Sequence, residues 1–407
     1  MLQTEFNGST KDKIIESAKD LFSSYNYRDV SVSMITEHAG INGSLFYRHF
    51  SNKNDILAYL VANALKDLKV QATSLVLPKE KPSKALDTFY KWMADTAYQN
   101  LRDIRILHEV ELNNVNVAKQ FRDILDSVIK KFLESQVQEF GLDVIRWFIL
   151  GPIRFSITYH TIWKGIKLPK RCFPQLIEFV LQGLDPEEHI MNHRVFDYGV
   201  EPIEIQEDKT KLKLLQSAEK LFGSKGFKET KVSDITYKAG VALGTFYLYF
   251  ENKQAILENL VWHTNTNLRR TLKQVINNFS DRRDAEIAGF YAFLQFFEKH
   301  SNMYAVVRDA EFFAHDVAME YYEKIKQSYI YPITQAEERG EFKHYNSDIL
   351  ALSLMGIGHY MGMDMLILDN KTNIDFVRKL MKLSRLLYKG VKRYELEGDL
   401  PKKEGQN

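Results

Sequence analysis

The chain has 407 residues, of which 45% are hydrophobic and 27% charged, with a formal net charge of +2. That balance excludes an intrinsically disordered chain, and a lone cysteine, Cys172, excludes a disulfide-framed one. The length suggests two or three domains, and the cysteine suits a reducing compartment, with buried core as its expected place. The first residues are polar and acidic where a signal peptide needs a basic segment and an apolar run, so a cytoplasmic protein is expected.

Residues 13–61 recur without a gap two hundred positions later, and such a repeat decides architecture before other arguments. In the first copy, apolar residues at Ile14, Ile15, Ala18, Leu21 and Phe22 have helical spacing with one buried face. Gly226 ends the equivalent helix of the second copy, and Asn26 takes its place in the first; both tolerate the left-handed C-terminal cap. A short helix is expected from about Val32 to Ala39, capped by Ser31, and Gly40 makes the turn after it. A third helix is expected from about Gly43 to His49, and Asn52 caps a longer one starting at Lys53. Three short helices with a glycine turn between the second and third form the helix-turn-helix pattern.

Beyond this unit the copies diverge but keep their frame: His108 to Leu112 matches Arg308 to Phe312, and Asp143 to Gly151 matches Asp348 to Gly356 with a slip of five. No strand-like alternation persists, so an all-α chain is expected. The stretch Ile349 to Leu368 approaches membrane-span length but carries His359 and Asp364, which favours a buried or dimer-face helix and no membrane. The polar segment from Asp185 to Asp208, with Pro186 and Pro202, reads as a linker. His189 and His193 within it lack a third ligand at metal-site spacing, so a solvated segment and no metal are expected.

Each copy carries an Ala-Gly turn (Ala39 and Gly40; Ala239 and Gly240), then Tyr-x-x-Phe (Tyr47 and Phe50; Tyr247 and Phe250), then Asn-Lys (Asn52 and Lys53; Asn252 and Lys253). In this each resembles the DNA-binding head of the tetracycline-repressor (TetR) family of bacterial transcription regulators. The resemblance implies two tandem units: heads at 9–56 and 209–256, helical ligand and dimerisation domains at 57–184 and 257–395, and a linker at 185–208. Most members are single units that pair as homodimers, whereas this chain resembles two protomers fused. The first copy keeps a cap, Asn42, but has Ser44 and Leu45 where Gly-Thr is usual. The second keeps Gly244 and Thr245 but has Ala242 at the cap, and Lys231 replaces the Ser31-type cap of the preceding helix.

The major groove of B-DNA admits one helix, whose early side chains reach base edges. In the first copy those are Asn42, Gly43, Ser44, Leu45 and Arg48, with His49 near the end; in the second, Leu243, Gly244 and Thr245, with Tyr249 near the end. By resemblance, Tyr47 and Tyr247 hold a backbone phosphate, while Lys53 and Lys253 sit where a cation and a helix N-terminus can share one. Residues 9–56 hold six basic and six acidic residues and are neutral; 209–256 hold nine Lys against four acids, a balance of +5, with Lys228, Lys231 and Lys238 near the turn. The second head therefore suits a polyanion electrostatically.

Resemblance also implies an apolar effector cavity among the later helices. Trp92, Phe155, Tyr159, Phe293, Phe297, Phe312 and His359 are the candidates to line it, although plain core serves any all-helical domain equally well. No catalytic constellation, phosphate loop or cofactor motif is present, so neither an enzyme nor a cofactor is expected. The sequence thus points to a DNA-binding transcriptional regulator, a repressor released by a small apolar effector. One chain would act as a covalent pseudo-dimer on an imperfect inverted-repeat operator. Two alternatives stay open: a homodimer of fused chains, and an interaction module whose heads no longer bind DNA.

Overall fold

The computed structural model describes residues 8–25, 27, 29–78, 81–186, 189–200, 208–368 and 373–391, and among these no strand occurs. The first repeat folds as α1 (Thr10–Ser24), α2 (Val32–His38), α3 (Gly43–Phe46), α4 (Lys53–Ser74), α5 (Pro82–Gln99), α6 (Leu101–Asn113), α7 (Val115–Ile129), α8 (Glu134–Phe140), α9 (Leu142–Ile157) and α10 (Cys172–Gln182). The second folds as α11 (Lys209–Lys225), α12 (Val232–Ala239), α13 (Leu243–Tyr247), α14 (Lys253–Ile276), α15 (Arg282–Lys299), α16 (Ser301–Phe313), α17 (His315–Glu338), α18 (Ser347–Gly362) and α19 (Asn373–Lys389). α17 is one continuous helix where the first repeat breaks into α7 and α8. Both α9 and α18 run on into a widened turn of i→i+5 bonding, Thr158–Trp163 and Met363–Leu368.

Two compact units form, and they do not coincide with the two repeats. One comprises residues up to Glu134 together with Ile157–Leu168; the other comprises Ser135–Ser156 and the chain from Pro169 on. Most of α9 and all of α10, though encoded in the first repeat, thus belong to the unit built by the second. Glycine is what permits their packing. A Cβ on Gly151 of α9 would stand 2.7 Å from the Ile357 nitrogen of α18, and one on Gly356 would run into the Gly151 carbonyl. The ends of α10 and α19 meet in the same way. Gly183 and Gly390, both at left-handed φ (63° and 65°), let the chains touch backbone to backbone. Leu184 N–H donates to the Leu387 carbonyl (2.8 Å), and Val391 N–H donates to that of Val180 (2.9 Å).

The apolar segment Ser347–Leu366 has 83% of its most hydrophobic window buried inside the fold. Its charge has a partner: Asp364 accepts from Arg146 (2.6 Å) and from the indole of Trp147 (2.7 Å), both on α9. Cys172 is buried, as expected.

The segment after Gly183 corrects the expectation of a solvated linker. Its described part packs on α15 and α19: His189 lies 3.0 Å from Asp284 and edge-on to the Tyr388 ring, while Val195 and Val200 are buried. Asp185 is buried there beside Arg283 (3.4 Å). Burial pushes its carboxyl up to about 6, against the opposing pull of Arg283 and His189. The folded chain therefore holds a proton that the unfolded chain releases. Stability from this residue is fully present below about pH 4 and is lost as pH rises through about 6. Asp185→Asn should flatten that stretch of the urea-stability profile; a mutant profile parallel to the parent's would show that the carboxyl does not titrate in this window.

Candidate nucleic-acid interface and cavity

The two heads share a frame and differ in detail. Ile14, Phe22, Ile35, Phe46 and Phe50 fill the first, and Leu214, Phe222, Ile235, Phe246 and Phe250 the second. Gly40 and Gly240 turn the chain at φ 64° and 68°, a conformation that a side chain would oppose. Asn42 caps α3 by accepting from Ser44 N–H (3.0 Å), whereas Ala242 gives α13 no side-chain cap. Such a loss costs about 1 kcal/mol. Likewise Ser31 caps α2, but at Lys231 only Asp234 reaches back to accept the backbone N–H (3.2 Å). The third helix of the first head is shorter than its pattern suggested: α3 ends at Phe46 and tightens into turns through His49.

Asn42, Ser44, Arg48 and His49 are exposed, with Gly43 and Leu45 partly so; Lys231, Leu243 and Gly244 are exposed and Thr245 partly. Tyr47 and Tyr247 are 61% and 56% exposed, each ring resting edge-on against its neighbouring Phe, so neither hydroxyl is buried in the core. Tyr47→Phe and Tyr247→Phe are each expected to weaken DNA binding by about 1 kcal/mol, equally on all sequences, because a phosphate contact positions without reading bases. Fluorescence anisotropy showing unchanged affinity for both variants would remove these hydroxyls from the interface.

Three of the candidate contact side chains are engaged within the protein. The Lys53 ammonium turns inward, donating to the Tyr27 carbonyl (2.9 Å) over that residue's ring. Lys253 does the same more completely, donating to the carbonyls of Phe227 (2.9 Å), Lys228 (3.1 Å) and Thr230 (2.9 Å). Both lysines close the loop ahead of the helix-turn-helix, where unpaired carbonyls need donors. The Tyr249 hydroxyl donates to Asp208 (2.8 Å), the cap of α11, and this bond raises its pKa.

The same loops join each head to its helical body. Tyr27 N–H donates to Glu109 of α6 (2.8 Å), and Phe227 N–H to Asp309 of α16 (2.9 Å). The two carboxylates occupy matching places in the stretch His108 to Leu112 against Arg308 to Phe312, but sequence reasoning gave neither a role, because nothing local ties an acid on this helix to a loop 82 residues earlier.

Within the second unit a cavity of about 1030 Å³ opens among α14 to α18, with Phe155 of α9 in its wall. Phe293, Phe297 and His359 line it, together with Phe290, Tyr304, Tyr321 and Tyr322. The Tyr304 hydroxyl donates to the His359 carbonyl (2.8 Å) and lies 3.1 Å from its Nδ1. Glu286, buried in the wall, pairs with Arg282, and burial raises its pKa against that partner's pull. Exposed Arg269, Arg270 and Lys273 stand where the cavity meets solvent. Those cations escaped sequence reasoning because an exposed Lys or Arg on a helix is ordinary.

Two candidates fall elsewhere. Trp92 stacks on Phe89 (5.9 Å), and Tyr159 meets Trp163 edge-on under Lys164; both belong to the other unit, away from this cavity. The side chain of Phe312 lies outside the described residues.

A profile of bacterial regulatory proteins of the tetR family matches residues 14–60 and 214–260. The HTH-type transcriptional regulator YdgC of Bacillus subtilis (strain 168) is 23% identical over 184 residues, which are 44% of this chain and 94% of that protein. The fatty acid metabolism regulator protein of the same organism is 26% identical over 165 residues, covering 36% and 80%. Among solved structures, the fatty acid degradation regulator FadR from Bacillus halodurans aligns at 18% identity and a TM-score of 0.43, over 46% of this chain and 99% of that one. FadR from Bacillus subtilis in complex with stearoyl-CoA aligns at 21% identity and a TM-score of 0.40, over 44% and 98%. The YdgC match spans nearly all of that protein but under half of this chain, as a single unit laid on a doubled one would. With both heads matched and folded alike, the chain belongs to the tetR family as a DNA-binding transcriptional regulator of two tandem units.

Proposed function

We propose that the chain is a repressor acting as a covalent pseudo-dimer, with both heads on one operator, and that a mostly apolar small molecule entering the second-half cavity releases it. The observation carrying this reading is the packing of α9 and α10 from the first repeat on α18 and α19 from the second within one compact unit. An isologous contact between identical subunits would use one patch twice; here the glycine pairs 151 with 356 and 183 with 390 supply both copies from a single chain. The operator would be an inverted repeat made imperfect by the unequal heads.

Helix α16 supports the link from effector to DNA. Tyr304 and Val307 face the cavity, while Asp309 of the same helix holds the Phe227 N–H of the head. A ligand that moves α16 would shift that anchor and bias the head between two positions. The aromatic body and cationic mouth suit a long acyl chain ending in an anionic group, a class in keeping with the relative named as a fatty acid metabolism regulator. No enzymatic step is assigned to it.

Light scattering of the protein alone, and bound to a duplex selected from a random pool, tests the stoichiometry. One chain per duplex is expected, with affinity falling steeply with salt; a two-chain complex with no single-chain complex would overturn it. Titrating that complex with fatty acids and their thioesters should release DNA in order of chain length. Release unaffected by Phe293→Trp, which narrows the cavity at its aromatic wall, would place the effector elsewhere.

A further inference from the structure

The recognition surface of the second head is apolar where that of the first is polar. Tyr237 is 90% exposed, Leu248 81% and Leu243 51%, three large apolar side chains within twelve residues around the turn. Their counterparts two hundred positions earlier are Glu37, Arg48 and Gly43. Leaving such side chains in water is unfavourable, and the core of the head is already filled by Ile235, Phe246 and Phe250. Exposed Lys231 and Lys238 flank the patch, in a head whose charge balance is +5. An apolar reading edge flanked by cations fits a duplex, whose phosphates meet the lysines while the groove floor meets the leucines.

We infer that the second head reads its half-site through thymine methyl groups, with Leu243 and Leu248 as the specificity-determining residues. Leucine offers no hydrogen bond, so it cannot read guanine, cytosine or adenine edges; the C5-methyl of thymine is the apolar group that the major groove presents. The first head, with Arg48 at the matching position, reads a hydrogen-bonding edge instead. The two half-sites therefore differ in chemistry as well as in sequence. This rests on the proposed binding of DNA by both heads.

The test uses the full chain and two randomised duplex pools, one synthesised with thymidine and one with deoxyuridine, which pairs identically but lacks the methyl. Selected duplexes from the first pool are then remade with uracil in one half-site at a time. Uracil in the second head's half-site should weaken binding about four-fold per contacted thymine, the factor that burying one methylene-sized group carries. Uracil in the other half-site, where Leu45 is the one partly exposed leucine among the reading residues, should weaken binding less. Leu248→Ala and Leu243→Ala, both at exposed positions that leave the core intact, should bring the thymine-to-uracil ratio toward one while the salt dependence stays as in the parent. A ratio that is equal in both half-sites, or unmoved by either variant, would overturn the inference while leaving DNA binding in place. If footprinting protects only one half-site, the second head does not bind DNA, and both this inference and the reading beneath it fail, as they would for an apolar patch that docks a protein.

Discussion

The substitution Gly356→Val is expected to destabilise the chain by about 3 kcal/mol or more, at the upper end of what overpacking costs. At this crossing the obstacle is backbone: the new Cβ would run into the Gly151 carbonyl and press on Phe155 Cβ at 2.8 Å. Rotamer change cannot relieve a clash with main chain, so α9 and α18 must separate. Separation would strip contacts from a densely packed seam on both sides. Gly289→Ala is the matched control. Its Cβ meets only Ile276 Cγ2, at 3.5 Å, an ordinary contact, and removing a helix-interior glycine should be neutral or stabilise by about 0.5–1 kcal/mol. Urea midpoints measured side by side decide the matter. A Gly356 variant as stable as the control would mean that the helices do not touch here.

A comparable effect is expected from Asp364→Ala. The carboxylate serves two donors at once, the Arg146 guanidinium and the Trp147 indole, with Asp364 6% and Trp147 1% exposed. Removing it withdraws the counter-charge from a guanidinium that cannot release its proton, and such losses run to about 3–5 kcal/mol. Asp364→Asn keeps an acceptor for the indole but no charge, so it should fall between parent and alanine variant. If the asparagine variant matched the alanine one in thermal unfolding, the charge alone would matter. If both matched the parent, the pair would contribute nothing.

The heads were legible in the sequence almost to the residue, because caps, glycine turns and aromatic core positions are local signals. Ser31, Asn42 and Asn52 cap the helices they were expected to cap. Partner choice was less legible. Lys53 and Lys253 carry a cation to the right place, yet carbonyls exposed by the preceding loop capture it, and no spacing rule reveals that. The segment after Gly183 looked solvated by composition, but its Asp185 bonds the His189 backbone and pairs with Arg283, and the His189 ring meets Asp284, on a helix far away in sequence. The cavity was half legible: aromatic residues announced themselves, and tertiary packing sorted Phe155, Phe293 and Phe297 into the wall while leaving Trp92 and Tyr159 in another unit.

The reciprocal glycine contacts at the ends of α10 and α19 have a consequence for dilution. Where two separate subunits make such a seam, mass action governs it, and scarce protein comes apart. Here both faces travel on one polypeptide, so their encounter is intramolecular and their effective concentration is set by the intervening chain. The seam between Leu184 and Leu387, or Val180 and Val391, should therefore survive at any copy number, and the thermal midpoint of the protein should not move with its concentration. A cell holding only a few molecules would still hold every one of them assembled.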